Sequence, residues 1–301
     1  MGRSSLSTGG WILLQLLRVL PKNAVSRAAG RIVAIRWPFG LAPRLVGAFA
    51  RAVGADLAEA RDPVERFDSI QSFFVRHLRD GARPLDDEPD ALLSPCDGAW
   101  GTSGRIERGT LLQVKGSPYA LADLLASPER AKAFEGGWFA TLYLSPRDYH
   151  RFHAPCDAEV ERVDYVPGRL WPVNRIGLEG VPGLFAENER LCVHLSPRTA
   201  AGLPRGPAGS LCLVAVGATM VGKTKLTFSN LETNVRGGQR AACVFEHGET
   251  RLGRGQEMGR FEFGSTIIVL VAPSGLALEP RESGRPVRMG ERIGGFVSGP
   301  S

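Results

Sequence analysis

Residues 267–272 read Ile-Ile-Val-Leu-Val-Ala, six apolar residues without a break, and Gly264-Ser265-Thr266 stands directly before them. An apolar run this short, opened by turn-type residues, predicts a buried strand rather than a helix. Strand signatures recur through the chain, at 111–115, 138–144, 159–165, 191–195, 211–221, 225–228 and 241–245, separated by Gly, Pro and Asn clusters. Helical signals are fewer. Asp62-Pro63-Val64-Glu65 predicts a helix start, with Phe67, Ile70, Phe73, Phe74 and His77 as an apolar stripe running to about residue 78. Residues 80–90 read as a polar loop, and 120–134 as a helical stretch limited by Pro128. With 301 residues the chain can bury a full core. The expected fold is α+β: N-terminal amphipathic helices over residues 1–60, then a β-rich, mainly antiparallel body over 61–301.

Charge divides the chain at the same place. Residues 1–55 hold eight of the 37 Lys and Arg and none of the 31 Asp and Glu, so the remainder carries 29 basic against 31 acidic side chains. The apolar stretch 11–20 is interrupted by Gln15 and Arg18 and closed by Pro21, too short for the roughly 20 residues that span a bilayer. Arginines interleaved with Leu, Val, Trp and Phe suit the surface of an anionic membrane, and fit nucleic acid poorly because polar and stacking residues are lacking. Helices that simply pack on the body, or a mitochondrial transit peptide, are the alternatives; a signal peptide lacks a clear cleavage site. The five cysteines have no paired spacing and several sit in apolar runs, which indicates reduced core residues. The expectation is a peripheral protein on the cytoplasmic face of the inner membrane.

Gly-Ser before a strand is ordinary turn chemistry, but it also permits an unusual reaction. The Ser265 hydroxyl can attack the Gly264 carbonyl, where no side chain obstructs it. An N→O acyl shift and β-elimination would then cut the chain and leave a pyruvoyl group. Such a serine needs a base, and the base needs an orienting group. Of five histidines, His150 and His153 lie in Ser145-Pro146-Arg147-Asp148-Tyr149-His150-Arg151-Phe152-His153, which reads as a capped helical turn with both rings on one face. A surface pair or half of a metal site reads equally from those two alone, though no Cys-x-x-Cys or His-Glu-x-x-His accompanies them, so no metal is expected. Asp97, in Ser94-Pro95-Cys96-Asp97-Gly98, reads as a turn residue or as the orienting acid. His77 and His194 read as packing residues and His247 as a turn residue. Residues 217–224 match the phosphate-loop pattern by letter, but Lys225-Leu226-Thr227-Phe228 is strand-like where that loop must open a helix.

Four blocks resemble the phosphatidylserine decarboxylase proenzyme family, in the family's order and across roughly residues 65–297. They are Ser94-Pro95-Cys96-Asp97-Gly98, the stretch 143–153, Val216-Gly217-Ala218-Thr219, and Gly255-Gln256-Glu257-Met258-Gly259-Arg260-Phe261 leading into Gly264-Ser265-Thr266. The resemblance implies that Asp97, His153 and Ser265 form a self-processing triad, that Gly264–Ser265 is the cut, and that Ser265 becomes the pyruvoyl cofactor. It implies a small chain, 265–301, held by the large one, with His150 serving the decarboxylation of phosphatidylserine to phosphatidylethanolamine and carbon dioxide. An anionic membrane surface and a homodimer of processed protomers are the implied partners. Cys96 stands where alanine is usual and Phe263 where leucine is usual; neither removes a reacting group. A pyruvoyl decarboxylase of another serine lipid or amino acid, or a non-enzymatic membrane-binding protein, are the competing readings.

Overall fold

The structure, a computed structural model, describes residues 7–38, 40–113, 117–199, 202–207, 209–219, 223–262, 265–273 and 275–296. Eight α-helices lie among these residues: α1 Thr8–Val19, α2 Lys22–Val33, α3 Leu41–Val53, α4 Ile70–Phe74, α5 Leu121–Leu125, α6 Pro128–Lys132, α7 Arg175–Gly180 and α8 Leu184–Glu187. The rest is dominated by a nine-stranded sheet. Its order is Ala241–Val244, Ala158–Val166, Arg190–Pro197, Leu211–Val216, Ser265–Val271, Trp138–Leu144, Gly98–Arg105 and Pro286–Val287, with Arg251–Leu252 also pairing on Ala158–Val166. Each of these pairings is antiparallel.

The apolar run that follows Ser265 is the centre of this sheet, hydrogen-bonded to Trp138–Leu144 on one side and Leu211–Val216 on the other. Its side chains alternate between two cores. Ile267, Val269 and Val271 join Leu213, Leu142 and Val193 on one face. Ile268 and Leu270 join Val214, Cys212 and Leu124 on the other. A strand covered on both faces needs no polar alternation, which is why its sequence is continuously apolar. Full burial of each such side chain stabilises by about 1.5–3 kcal/mol.

The expected helix over 62–78 is broken in two. A single 3-10 turn, Val64–Arg66, is followed by a restart at Ser69, whose hydroxyl accepts the Ser72 N–H at 3.1 Å while the Ser72 hydroxyl accepts the Ser69 N–H at 3.2 Å. This capping box nucleates the short α4 and overrides the Asp62 signal. The stripe residues Phe67 and Phe73 still converge, packing with Val46 and Ala50 of α3 in a third apolar cluster. The 120–134 stretch divides as expected, with Pro128 at the first turn of α6.

α1 and α2 dock at one corner. The buried Lys22 ammonium lies 3.9 Å from the centroid of the Trp171 ring, and Asn23 donates to the Gly168 carbonyl at 3.0 Å. Yet among the described residues ten of the fifteen exposed large apolar side chains lie between Trp11 and Leu41, with Val19 at 85% and Ile32 at 63%. Among the described residues no helix is long and apolar enough to cross a membrane.

Candidate active site

Ser265 opens the central strand opposite Leu144, and Thr266 sits between Tyr143 and Val216. Ser265 is fully buried, and its Oγ has no hydrogen-bond partner among the described residues. A buried hydroxyl left unpaired costs free energy; Thr266 Oγ1 on the same strand and Thr141 Oγ1 on the adjoining one are likewise without partners among the described residues. Phe263 and Gly264 lie outside the described residues.

Beyond Leu144 the chain makes a tight turn. Ser145 donates from both N–H and Oγ to Asp148 Oδ2 at 2.7 Å, and the Asp148 N–H returns to the Ser145 carbonyl at 2.9 Å. The expected helical turn carrying both histidines does not form. Arg151–His153 is a strand, paired with Glu257–Phe261 in the register Glu257↔His153 and Arg260↔Arg151. Gly259 permits this pairing, because a Cβ there would stand 2.4 Å from the Lys225 carbonyl oxygen and 2.6 Å from Phe152 Cζ. His150 and His153 therefore reach the region from a turn and an adjoining strand.

His153 is held at both ring nitrogens. Nδ1 lies 2.9 Å from the Gly255 carbonyl oxygen, which only accepts, so Nδ1 carries the hydrogen. Nε2 is then free to accept, and the Tyr149 hydroxyl donates to it at 3.1 Å. Burial pushes the His153 pKa down, with the Gly255 carbonyl opposing it. The ring is a neutral base with its lone pair covered by a phenol. The same burial raises the Tyr149 pKa, so the phenol keeps its hydrogen.

His150 is more isolated. Its Nδ1 donates to the Asp148 carbonyl at 2.8 Å, while Nε2 is buried with no partner among the described residues. Burial drives its pKa down to about 3, the Asp148 carbonyl opposing and the Arg76 charge assisting. The ring stacks on Phe74 of α4 with centroids 4.0 Å apart, and Phe74 in turn meets Phe49 of α3 at 6.5 Å. A chain of aromatic contacts thus runs from α3 to His150.

Asp97 sits on a loop tied to the histidine strand, since the His153 N–H donates to the Pro95 carbonyl at 2.7 Å. Gly98 follows because a Cβ there would lie 2.5 Å from the Tyr143 carbonyl oxygen, so the pair is not a free turn. The Asp97 carboxylate is engaged by Arg83, whose Nε lies 2.8 Å and 3.0 Å from its two oxygens and whose Nη2 lies at 2.6 Å, and by the Met289 N–H at 2.9 Å. Arg83 also donates to Glu59 at 2.7 Å. Burial works against the Arg83 charge, but these two carboxylates outweigh it and hold its pKa above the ordinary value. Among the described residues no hydrogen bond joins the Asp97 carboxylate to His153, or His153 to Ser265. A cavity of about 240 Å³ opens onto Asp97 and Tyr149.

Arg83, Tyr149 and the Gly255 carbonyl are parts of this arrangement that sequence reading passes over. Arg83 stands in a polar loop with no periodic signal, and a carbonyl leaves no mark in a sequence at all. Tyr149 was adjacent to the histidine but carried no chemistry by spacing. Of the remaining histidines, His194 is buried in a strand 3.5 Å from Asp164 and His247 is an exposed turn residue 2.8 Å from Glu159. The phosphate-loop look-alike leads into the strand Thr224–Leu226, with no helix to receive a phosphate, and its residues 220–222 lie outside the described residues. All five cysteines are free, four of them buried.

Known proteins resemble this chain along nearly its whole length. The sequence profile of the phosphatidylserine decarboxylase family matches residues 70–295. The chain is 42% identical over 287 residues to a phosphatidylserine decarboxylase proenzyme of Anaeromyxobacter sp. (strain K), covering 94% of this chain and 98% of the relative. It is 38% identical over 288 residues to the proenzyme of that name from Brevibacillus brevis, covering 95% and 98%. With the Pseudomonas aeruginosa proenzyme it shares 41% over 282 residues, covering 91% and 93%. Matches of that length and identity, spanning the Asp97 loop, both histidines and Ser265, mean that the chain belongs to the phosphatidylserine decarboxylase family of enzymes.

Proposed function

We propose that this chain cuts itself between Gly264 and Ser265 and then decarboxylates phosphatidylserine to phosphatidylethanolamine. The observation that carries the reading is the buried Ser265 Oγ at the head of the central strand, without a partner among the described residues. A buried hydroxyl at such a position would ordinarily be hydrogen-bonded; one with no partner among the described residues is free to pass its proton to a base.

Processing begins when Oγ bonds to the Gly264 carbonyl carbon and its proton passes to His153 Nε2, the nitrogen that Tyr149 covers. The Gly255 carbonyl keeps the opposite ring nitrogen protonated, which fixes the base in the useful tautomer. The peptide C–N bond breaks as the ester forms, leaving a free amine at residue 265. Loss of the Ser265 Cα proton expels the 1–264 carboxylate and leaves dehydroalanine, and water then displaces ammonia to give the pyruvoyl group. Asp97, charge-paired with Arg83, supports the positive charge that forms on His153. The small chain 265–301 stays bound because its first strand is paired on both sides.

Once formed, the pyruvoyl carbonyl supplies an electron sink for the pair left by departing carbon dioxide. His150 enters this step neutral, with Nε2 as an acceptor. The substrate's carboxylate, brought beside it, raises the imidazole pKa. The ring then takes the proton that the head-group ammonium must lose, and returns it to the α-carbon after carbon dioxide leaves.

The exposed apolar side chains of α1 and α2, interleaved with arginine, support seating of this helical segment as an amphipathic surface on an anionic membrane. The head group then need not leave the interface. The activity is tested by release of carbon dioxide from carboxyl-labelled phosphatidylserine in vesicles, with and without hydroxylamine. Release that hydroxylamine abolishes is expected. Release that hydroxylamine leaves untouched contradicts the pyruvoyl step, and no release contradicts the activity.

A further inference from the structure

A second cavity, of about 390 Å³, lies between α2, α4, the stretch 234–236, and Lys223 and Glu262, which flank the strands Thr224–Leu226 and Glu257–Phe261. Its charged walls are Arg27, Arg31, Lys223, Arg236 and Glu262, with the amides Gln71 and Asn234 beside them. Four cations thus meet one acid, and that acid is already engaged: Glu262 accepts from Gln71 at 2.9 Å and faces the Lys225 ammonium at 3.2 Å. Lys223 is paired with Glu232. Among the described residues Arg27, Arg31 and Arg236 make no ion pair, though Arg27 acts through space on the buried Glu189, so the cavity keeps an excess of positive charge. The cavity beside Asp97 differs, because its four arginines meet four acids, Asp56, Glu59, Asp97 and Asp148.

Position adds to charge. Glu262 is three residues from Ser265, at most about 11 Å along the chain. Gln71 is on the short helix whose Phe74 stacks on His150. Phe261, beside Glu262, donates its N–H to the His150 carbonyl at 2.9 Å. The α2 wall carries the exposed Val25 and Ile32. The cavity therefore lies between the surface that exposes apolar side chains and the elements that hold His150.

We propose that this cavity seats the phosphodiester of a glycerophospholipid head group, with Arg27 and Arg31 as its principal ligands; the identity of that lipid as the substrate rests on the function proposed above. In a serine phospholipid four bonds separate the amine nitrogen from phosphorus, about 5 Å when extended, which a seat bordered by Glu262 can serve. Guanidinium groups suit the task, since each offers two parallel N–H donors to phosphate oxygens.

The test uses the full-length Ser265→Ala protein, which forms no carbonyl, so its outcome is independent of processing and turnover. Binding of glycerophosphoserine, the deacylated head group, is measured beside inorganic phosphate and free serine. Arg27→Gln/Arg31→Gln is expected to weaken glycerophosphoserine binding about tenfold or more. Arg18→Gln/Arg44→Gln, which removes the same charge from exposed helix positions outside the cavity, is expected to leave it unchanged. Equal losses in the two double variants would reduce the effect to general attraction and overturn the seat. Inorganic phosphate binding as tightly as glycerophosphoserine would make this a free-anion site and overturn the head-group assignment, as would no binding to the parent protein. If the seat holds while wild-type protein releases no carbon dioxide from phosphatidylserine, the proposed function fails and the phosphodiester site stands.

Discussion

Tyr149 donates to His153 Nε2 at 3.1 Å, on the ring whose opposite nitrogen is anchored 2.9 Å from the Gly255 carbonyl. The phenol thus occupies the lone pair that self-processing needs. Donation to the neutral ring disfavours its protonation, and the phenol also keeps water out. The hydroxyl's donation lowers the His153 pKa, so removing it raises that pKa, while the ring retained by phenylalanine keeps excluding water. Tyr149→Phe should still process, but the acid limb of its rate against pH should move upward toward the ordinary histidine value of about 6.5. Cleavage followed by mass from pH 4 to 8 measures this, and an unmoved limb would remove Tyr149 from the account.

Arg83 and Asp97 are both nearly buried, with side chains 6% and 8% exposed. Removing one partner of such a pair strands the other's charge, at a cost of about 3–5 kcal/mol. Arg83→Ala should lose stability on that order in urea unfolding and process slowly. Arg83→Lys should recover part of the stability, because it restores charge without the fork. A loss below about 1 kcal/mol in the alanine variant would mean the pair behaves as a surface ion pair.

His150 gives the protein a pH signature. In the folded state burial drives its pKa to about 3, while in the unfolded chain it titrates near 6.5. Between those values the unfolded state binds a proton that the folded state refuses, so stability falls as pH drops from about 6.5 toward 3. The slope from one such group is on the order of 1.4 kcal/mol per pH unit. His77 and His153, also shifted down by burial, add to it in the same sense. Urea midpoints at pH 7, 6, 5 and 4 should show a shallower fall in His150→Gln than in wild type; identical slopes would mean His150 is not buried neutral.

The two histidines should separate by function. His153→Ala should stall cleavage, leaving a full-length chain. His150→Ala should cleave and yet release carbon dioxide at least tenfold more slowly, on the scale typical of a lost acid–base group. Gel mobility and carbon dioxide release on the same preparations check both, and normal turnover by His150→Ala would overturn its role.

Long, strongly patterned segments were legible from residue types alone. Residues 138–144 form the strand Trp138–Leu144 at the expected bounds, and the run after Ser265 is the buried centre that its unbroken apolar character indicates. What misled was local. The Asp62 capping signal lost to a Ser69–Ser72 box a turn later, and a Ser-Pro-x-Asp start became a closed turn because strand pairing to Glu257–Phe261 outcompeted a helix. Short strands such as Ala91–Leu93 and Arg151–His153 carry too few residues for a period to register. Ser265, His150, His153 and Asp97 could be nominated from the sequence because their chemistry is in their side chains and the family resemblance picks them out. Arg83 and the Gly255 carbonyl act through distant pairing, which only the folded chain reveals.

The central claim, that Ser265 becomes the protein's own cofactor, is tested most directly by intact mass of purified wild-type protein under denaturing conditions. The account predicts two chains, the smaller comprising the 37 residues from position 265 to 301 and beginning with a pyruvoyl group in place of serine. Ser265→Ala should give one uncut chain. A single uncut chain from wild-type protein that releases carbon dioxide from phosphatidylserine would contradict the account.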